Sequence, residues 1–438
     1  MRSALETVAA IRRGDTSAVA ETEAAIARIE AGDGAINAVV VRDFDRARAQ
    51  AKAADARLAA GDAAPLLGLP MTVKESYDVA GLPTTWGFAE HADHIAHADA
   101  VVVQRLKAAG AVILGKTNVP TGLIDLQSNN PLYGRTLNPR DPARVAGGSS
   151  GGAAAALAAG LVAAEIGSDI GGSIRTPAAF CGVWGHKASY GAIDTQGNFF
   201  PGTDGAGAAL GVMGPMARDP DDLAALLDVL TDIPLPRAGT GEPGALSILL
   251  LPEHPLARAS AEMKRAVEAV GQAFERVGAD VERAPDLLPD LSAQHRDYVK
   301  LMLTALSRGA PSPGGEATTL PQWFAMLDTQ ARCIRAWSRV FREYDAVIAP
   351  VFGTTAFAHD DTPSNKRLLD IDGDSTPFGA QFAYAGLATY PNLPATSVPI
   401  AKGADGLPIG LQVICDLHQD HKAIAIARLA HALTKDLR

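Results

Sequence analysis

The segment of residues 147–175 constrains this chain more than any other part of its sequence. It reads GGSSGGAAAALAAGLVAAEIGSDIGGSIR, with a serine in a glycine-rich turn at each end. Glycine lets the backbone approach a ligand closely because it carries no side chain. Two such turns, each presenting a serine, predict a nucleophile and a helper residue beside an anion-binding pocket.

The part between the two turns predicts a helix followed by a strand. Residues 151–160 are rich in alanine, the best helix former, and would rise roughly 15 Å as a helix. Residues 161–166 are mostly apolar and predict a short buried strand, which would span roughly 20 Å. A helix that leads away and a strand that returns would leave Ser149 and Ser173 near the same end of this unit.

Several separate motifs of this chain resemble, in the same order, those of the amidase signature family. These motifs are LGLPMTVKES at 67–76, GKTN at 115–118, NPLYGR at 130–135, the segment 147–175, PAAFCG at 177–182, GPMAR at 214–218 and PIGLQ at 408–412. The resemblance covers most of the chain and is weakest over residues 235–385. It implies an α/β fold in which a large mixed β-sheet is covered by helices on both faces.

The resemblance also implies roles for individual residues. Ser173 matches the family's nucleophile, Ser149 its bridging serine, which follows a cis peptide bond, and Lys74 its catalytic base. The family's oxyanion hole corresponds here to the backbone N–H groups of Ile170, Gly171, Gly172 and Ser173.

Two charged residues flank the predicted nucleophile turn. Asp169 and Arg175 are expected to support it, either as a charge pair or through hydrogen bonds that hold the backbone amides. The alternative is a pair of solvated loop charges, and the resemblance favours the supporting role. Ser150 is included among the supporting residues.

The residue types of this set fit nucleophilic catalysis. A serine hydroxyl is a weak nucleophile until a base removes its proton. Lysine can act as that base only when neutral, and burial lowers its pKa from about 10.4 by disfavouring the ammonium. Apolar residues at 69, 71 and 73 precede Lys74 in alternation, which predicts a strand that carries the lysine into the core. Without the resemblance, a surface lysine at a strand end would be the simpler interpretation.

These features predict an amidohydrolase that cleaves the C–N bond of a carboxylic amide through an acyl-enzyme on Ser173. Aryl acylamides and carbamates (urethanes) are both candidate substrates, with esters as a side activity. An alternative within the family is the glutaminase subunit of a tRNA amidotransferase. The pair Glu75-Ser76 weakens it, because an aspartate–asparagine pair is expected after the lysine of that subunit. The expected partner is thus a small amide or carbamate.

The acyl or amine group of the substrate is expected to meet aromatic residues in and just before the weakly matched region. Ligand pockets are mostly apolar with a few polar anchors. The candidates for this lining, each of which could instead be plain core, are Phe199, Phe200, Trp323, Phe324, Trp337, Phe352, Phe357, Phe378, Phe382 and Tyr384.

Two other motifs match by pattern and indicate different chemistry. Residues 110–117 satisfy GxxxxGK[ST], which would make the chain a P-loop-like nucleotide-binding protein, but residues 111–114 are apolar and predict a buried strand instead of a phosphate loop. Residues 147–151 satisfy GxSxG, the nucleophile elbow. That elbow must directly follow a buried strand, and residues 138–146 predict a loop.

Neither a metal nor a cofactor is expected. His91, His94 and His97 recur every three residues, and a polar surface segment accounts for them better than a metal site. The three cysteines form no CxxC pair. Cys181, near the nucleophile turn, is expected to be a packed thiol.

Charge and hydropathy limit the partners and the location. The net charge of −10, from 49 acidic and 39 basic residues, does not favour nucleic acid or an anionic membrane. No apolar run reaches 18 residues, so no membrane-spanning helix is expected. Few cysteines and the lack of an apolar leader favour the cytoplasm. A homodimer is the expected assembly if the chain self-associates.

The sequence divides into three parts. Residues 1–62 predict an N-terminal helical segment, and 63–234 alternate strands with alanine-rich helices as the core that carries the catalytic residues. Residues 235–438 continue the same α/β unit and contain the variable substrate-pocket region 235–385. The stretch 235–244 is rich in proline and glycine and predicts a linker.

Overall fold

A computed structural model describes residues 1–237, 239, 241–283, 287–311 and 315–438. The helices in this part of the chain are α1 (Ala4–Arg13), α2 (Ala18–Gly32), α3 (Phe44–Ala59), α4 (Val101–Ala108), α5 (Gly151–Ala158), α6 (Arg175–Cys181), α7 (Pro220–Leu230), α8 (Ala261–Arg276), α9 (Leu291–Leu306), α10 (Leu320–Glu343), α11 (Phe382–Thr389) and α12 (Asp420–Leu433). The strands are β1 (Val39–Arg42), β2 (Pro70–Lys74), β3 (Val112–Thr117), β4 (Asn129–Asn130), β5 (Gly134–Arg135), β6 (Leu137–Asn138), β7 (Asp141–Val145), β8 (Ala164–Asp169), β9 (Trp184–Lys187), β10 (Val212–Ala217), β11 (Ser247–Leu250), β12 (Asp280–Arg283), β13 (Ala346–Pro350), β14 (Leu368–Ile371), β15 (Asp374–Pro377), β16 (Ala395–Lys402) and β17 (Pro408–Ile414).

The largest sheet has eight strands in the order β12-β11-β13-β17-β16-β9-β10-β8. β11 runs parallel to β12 and β13, and every other neighbouring pair is antiparallel. The sheet is therefore mixed, which confirms the prediction. Strands from both sides of residue 235 belong to it, because β8, β9 and β10 precede that residue and the other five strands follow it.

Helices cover this sheet on both faces, as two neighbouring residues of β9 show. Successive side chains of a strand point to opposite faces. A Cβ on Gly185 would lie 3.0 Å from the Cβ of Ala178 in α6. His186, the next residue, places its Nε2 3.0 Å from Oδ1 of Asp420 at the start of α12. The helices α6 and α12 therefore lie on opposite faces of the sheet.

A second sheet of three strands brings the lysine to the end of the large sheet. Its order is β1-β3-β2, with β2 parallel to β3 and β1 antiparallel to it. All five residues of β2 are buried, and Lys74 is the last of them. The Nζ of Lys74 lies 2.9 Å from the hydroxyl of Ser168 on β8, the terminal strand of the large sheet. The two sheets therefore meet where β2 and β8 lie side by side.

The structure corrects two sequence-based predictions of secondary structure. The strand predicted at 161–166 lies three residues later, at Ala164–Asp169, because β8 pairs with β10 from Ala164↔Ala217 to Val212↔Asp169. The 1–62 segment is not wholly helical, since Val39–Arg42 forms β1. Three consecutive valines, which favour strands, explain this.

The motifs at 110–117 and 147–151 have different outcomes. Residues 112–117 form the buried strand β3, which confirms the strand and leaves no phosphate-binding loop there. The stretch 138–146 is not only loop, because it contains β7, which pairs with β6 in a separate two-stranded ribbon. The predicted linker at 235–244 includes 238 and 240, which lie outside the described residues. The proposed division into 1–62, 63–234 and 235–438 stays a prediction.

Gly214 of β10 lies so close to β9 that a Cβ there would overlap the carbonyl oxygen of His186. It also pairs with Gly167 of β8. We expect Gly214→Ala to lower the free energy of unfolding by about 1–3 kcal/mol, because an inserted methyl group forces the backbone apart. Denaturant unfolding measures this. The control is Gly34→Ala, where an added Cβ meets no atom within 4 Å; equal losses in both variants would contradict the prediction.

Candidate active site

Lys74 is fully buried, with 0% of its surface exposed. Its Nζ lies 2.7 Å from the hydroxyl of Ser149, 2.9 Å from that of Ser168, and 3.5 Å from the carbonyl oxygen of Ser168. The peptide bond between Gly148 and Ser149 is cis, as the sequence resemblance implies. The structure thus brings together the predicted base and the predicted bridging serine. It also adds Ser168, which the sequence did not single out.

A neutral amine can satisfy all three contacts. A neutral –NH₂ group has two N–H donors and one lone pair. If both donors go to Ser168, to its hydroxyl and its carbonyl oxygen, the lone pair is left for the proton of Ser149. Ser168 can therefore orient the lysine as a base, whereas an ammonium would donate to all three oxygens.

Burial lowers the pKa of Lys74 to about 7. The charges of Asp169, Glu165 and Glu75 oppose this shift but do not outweigh the loss of hydration. A large fraction of Lys74 is therefore neutral near neutral pH, as a proton acceptor requires.

Glu165 is a second buried titratable residue, and the sequence patterns did not identify it. It lies on β8, and its Oε2 accepts a hydrogen bond from the Ile166 amide at 3.0 Å. Burial raises its pKa to about 8, although the charge of Lys74 acts against this shift. Lys74 and Glu165 interact and have similar pKa values, so they titrate as a coupled pair.

Asp169 and Arg175 form a buried ion pair, not two solvated charges. The guanidinium donates from Nη2 to Oδ1 at 2.9 Å and from Nε to Oδ2 at 3.0 Å. Burial disfavours the Asp169 carboxylate, but the charge of Arg175 outweighs this and lowers the pKa of Asp169 to about 2. The carboxylate also accepts the amides of Gly172 at 2.9 Å and Ile174 at 3.1 Å. It therefore holds the glycine turn between them.

The turn offers fewer free amides than the resemblance implies. The Gly172 N–H already donates to Asp169, so this member of the predicted oxyanion hole is occupied. The amides of Ile170, Gly171 and Ser173 have no acceptor within the described part of the chain. Tyr298 further fixes the turn by donating its hydroxyl to the Ile170 carbonyl oxygen at 2.7 Å.

The predicted nucleophile and the bridging serine face one cavity of about 620 Å³. Ser173, Ser149 and Ser168 line it together with Ile170. Ser173 is 5% exposed, and no hydrogen bond within the described residues joins its hydroxyl to that of Ser149. Such contacts often tighten only when substrate binds. Ser150, the supporting serine, donates its backbone amide to the Ser173 carbonyl oxygen at 3.0 Å.

The aromatic candidates divide into lining and core. Phe199, Phe200 and Trp323 line the cavity. Trp337, Phe352, Phe357, Phe378 and Tyr384 are buried in hydrophobic clusters, and Phe382 packs against two of them. Phe324 is 57% exposed. Trp86 also lines the cavity and was missed, because nothing in the motif TTWGF distinguishes a pocket residue from a packed one.

The remaining predicted residues have structural contacts. Lys116 donates to the Pro83 carbonyl oxygen and to the Thr84 hydroxyl, so it is not free to bind a phosphate. Cys181 is buried, which confirms a packed thiol. Among the described residues, no helix combines the length and apolar character needed to cross a bilayer.

Comparison with known proteins agrees with this geometry. A family model described as Amidase matches residues 20–309 and 296–424. The chain belongs to the amidase signature family. Members of this family are serine amidohydrolases, and relatives of the chain act on amide C–N bonds.

Two relatives and one solved structure illustrate the range of the amidase signature family. The chain is 32% identical to a glutamyl-tRNA(Gln) amidotransferase subunit of Koribacter versatilis, over 97% of each protein. It is 31% identical to a fatty-acid amide hydrolase 2-A of Danio rerio, over 97% of this chain and 87% of that protein. A 6-aminohexanoate cyclic dimer hydrolase complexed with substrate has a TM-score of 0.83 and 25% identity, over 99% of this chain and 97% of that one.

Removing the Ser168 hydroxyl should impair the base more than it affects substrate binding. We expect Ser168→Ala to lower kcat by up to about 100-fold, because a misoriented catalytic group can cost that much, while KM changes little. Ser168→Thr keeps a hydroxyl and should retain most of the activity. Steady-state kinetics on any hydrolysed amide measures both. Equal kcat values for the two variants would show that the hydroxyl does not orient Lys74.

The activity should depend on pH through Lys74. The base works only when unprotonated, so kcat/KM should rise with pH through a midpoint near 7, the lowered pKa of Lys74. Glu165→Gln should move this midpoint little, because a carboxyl group whose pKa is raised to about 8 is already mostly uncharged near pH 7. A pH–rate profile from about pH 5.5 to 9.5 measures this. A midpoint near the ordinary lysine value would contradict the assignment of Lys74 as the buried base.

Proposed function

We propose that this chain hydrolyses the C–N bond of a carboxylic amide through an acyl-enzyme on Ser173. The observation that supports this most is the 2.7 Å contact between the buried Lys74 amine and the Ser149 hydroxyl, beside the cavity that Ser173 also lines. A neutral amine at that distance can take a proton from Ser149, which in turn can take one from Ser173.

The proposed reaction begins with the formation of a tetrahedral intermediate. Ser173 attacks the carbonyl carbon, and negative charge develops on the carbonyl oxygen. The free amides of Ile170, Gly171 and Ser173 stabilise this charge, a contribution commonly worth about 10²–10³ in rate for each donor. The occupied amide of Gly172 acts indirectly, because its bond to Asp169 fixes the turn.

Loss of the amine then converts this intermediate into the acyl-enzyme. An amine leaves readily only when protonated, so Ser149 returns a proton to the leaving nitrogen. Water then attacks the acyl-enzyme, and the same pair of Lys74 and Ser149 takes its proton. The bond between the acyl carbon and Ser173 breaks, the pair returns the proton to the Ser173 hydroxyl, and the carboxylic acid is released. A relay that delivers a proton to nitrogen suits amides and carbamates, and it also allows ester hydrolysis as a side activity.

The substrate class proposed first is an aryl acylamide or a carbamate. The cavity supports this, because its volume is typical of small-molecule sites and Phe199, Phe200 and Trp323 contribute to its lining. A cytoplasmic location and a homodimer remain part of the proposal from the sequence. The three cysteines, all free, are compatible with a reducing compartment.

A second candidate is the glutaminase subunit of an amidotransferase. The 32% identity to a glutamyl-tRNA(Gln) amidotransferase subunit supports it. The residues after Lys74 argue against it, since Glu75-Ser76 stands where an aspartate–asparagine pair is expected. Glutamine therefore belongs in the substrate panel, beside anilides, carbamates and primary amides.

Ser173 can be tested by labelling. We expect Ser173→Ala to abolish turnover of every hydrolysed amide and to abolish covalent labelling by a fluorophosphonate, because the attacking hydroxyl is gone. Mass spectrometry of the labelled wild-type peptide should place the adduct on Ser173. Ser307→Ala, at an exposed position after α9, serves as the control and should label normally. An adduct on another serine would refute the assignment.

A further inference from the structure

The backbone at Trp86 has a conformation that its side chain alone would not favour. Its φ is +52°, in the left-handed region where bulky residues are rare. The residue is nevertheless held at three points: its amide donates to Glu75, its carbonyl oxygen accepts from the Gly122 amide at 2.7 Å, and its indole N–H donates to the Ser76 carbonyl oxygen at 3.3 Å. Strained residues that persist in this way cluster at functional sites.

Glu75 provides most of the hydrogen-bond acceptors that fix this turn. The residue is fully buried and directly follows Lys74. Its Oε1 accepts from the Thr85 amide and hydroxyl, both at 2.7 Å, and its Oε2 accepts from the Trp86 amide at 2.9 Å. Tyr133 adds a fourth donor at 3.4 Å. The turn that carries Trp86 is therefore attached to the same strand end as the proposed base.

Trp86 is part of an aromatic wall of the cavity, which we define as Trp86 and Phe200. Both residues line the cavity, and their ring centroids lie 5.9 Å apart in an edge-to-face arrangement. The rings of Phe88 and His91 pack against Phe200, with centroids 5.4 Å and 5.6 Å away. Aromatic rings at such separations attract a further ring beyond what apolar area alone provides.

The charges around the cavity favour a neutral ligand. Asp169 is the one carboxylate among the described lining residues, and Arg175 already pairs with it. Arg308, also among the lining residues, is exposed and would disfavour a cationic amine. A substrate with an uncharged ring therefore suits this cavity better than an amino acid amide or a polyamine.

We propose that the aromatic wall recognises an aryl ring of a neutral amide or carbamate substrate, and that Glu75 is the positioning residue that presents Trp86 to this ring. The inference rests on the proposed amide hydrolysis for its reaction, but it concerns binding. The ring can belong to the acyl group or to the amine, and matched substrates distinguish the two.

Two substrate pairs isolate the ring from the reacting bond. Phenylacetamide and cyclohexylacetamide differ only on the acyl side, and both release ammonia. N-benzylacetamide and N-(cyclohexylmethyl)acetamide differ only on the amine side, and both release acetate. In each pair a methylene group separates the ring from the amide, so that leaving-group chemistry is closely matched. The measured quantity is the aryl-to-cyclohexyl ratio of kcat/KM.

We expect this ratio to fall by about 2- to 13-fold in Trp86→Leu for at least one pair, the range that an aromatic contact supports. Trp86→Phe should restore most of the preference. Phe324→Leu is the control, because Phe324 is exposed and does not line the cavity, and its ratio should equal that of the wild type. An unchanged ratio in Trp86→Leu for both pairs would overturn the proposal.

Glu75→Gln tests the positioning role. Gln would turn an N–H donor toward the donors of Thr85 and Trp86, so the aryl preference should fall as in Trp86→Leu. It should also shift the pH–rate profile to lower pH, because the charge of Glu75 raises the pKa of Lys74. Trp86→Leu should leave the profile unchanged. A shifted profile with an intact aryl preference would show that Glu75 acts on the lysine alone and does not position Trp86.

The same comparison can be made without turnover. Calorimetry on Ser173→Ala, with and without Trp86→Leu, gives the aryl-to-cyclohexyl ratio of Kd for each pair. An aryl preference that disappears with Trp86→Leu supports ring recognition by the aromatic wall even if Ser173 proves not to be the nucleophile. Equal Kd values within both pairs in Ser173→Ala would overturn ring recognition by the aromatic wall while leaving the proposed amide hydrolysis intact.

Discussion

The loss of hydration at Lys74 is the interaction on which the rest of the site depends. Moving the pKa from about 10.4 to about 7 corresponds to about 4–5 kcal/mol at 1.36 kcal/mol per unit. Three buried carboxyl groups oppose this shift when they are ionised, so each charge must be offset by other contacts or removed by protonation. Asp169 is paired with Arg175, Glu75 is bound by the Thr85–Trp86 turn, and burial keeps Glu165 largely protonated. The Lys74 amine can therefore lose its proton although three carboxyl groups lie near it.

The site also depends on how two sheets meet. Lys74 ends β2 of the three-stranded sheet, whereas Ser168 and Asp169 end β8 of the eight-stranded sheet. The 2.9 Å contact from the lysine amine to the Ser168 hydroxyl crosses this junction. The geometry of the base is therefore set by packing between sheets and not by one local motif, and the aromatic wall follows because Glu75 belongs to the same strand end.

Sequence patterns predicted the parts of the site that local chemistry specifies. The two glycine–serine turns identified Ser149 and Ser173, and the alternation before Lys74 indicated a buried strand. Ser168 and Glu165 were missed because their importance comes from β2 lying beside β8, a long-range contact that leaves no periodic signal. Trp86 depends on a left-handed turn held by a distant carboxylate. The shift of β8 to Ala164–Asp169 has a similar cause, since pairing with β10 extends the strand into the polar residues Ser168 and Asp169.

The buried side chain of Arg175 links early and late parts of the chain. Besides Asp169, it donates to the Thr389 hydroxyl at 2.9 Å, the Ala385 carbonyl oxygen at 3.1 Å and the Gln412 side-chain oxygen at 2.8 Å. All three acceptors are encoded more than 200 residues after the arginine. During translation, the glycine turn beside Ser173 therefore cannot acquire its final set of contacts until nearly the entire polypeptide has left the ribosome, and a nascent chain lacking β17 would carry the nucleophile without the framework that holds it.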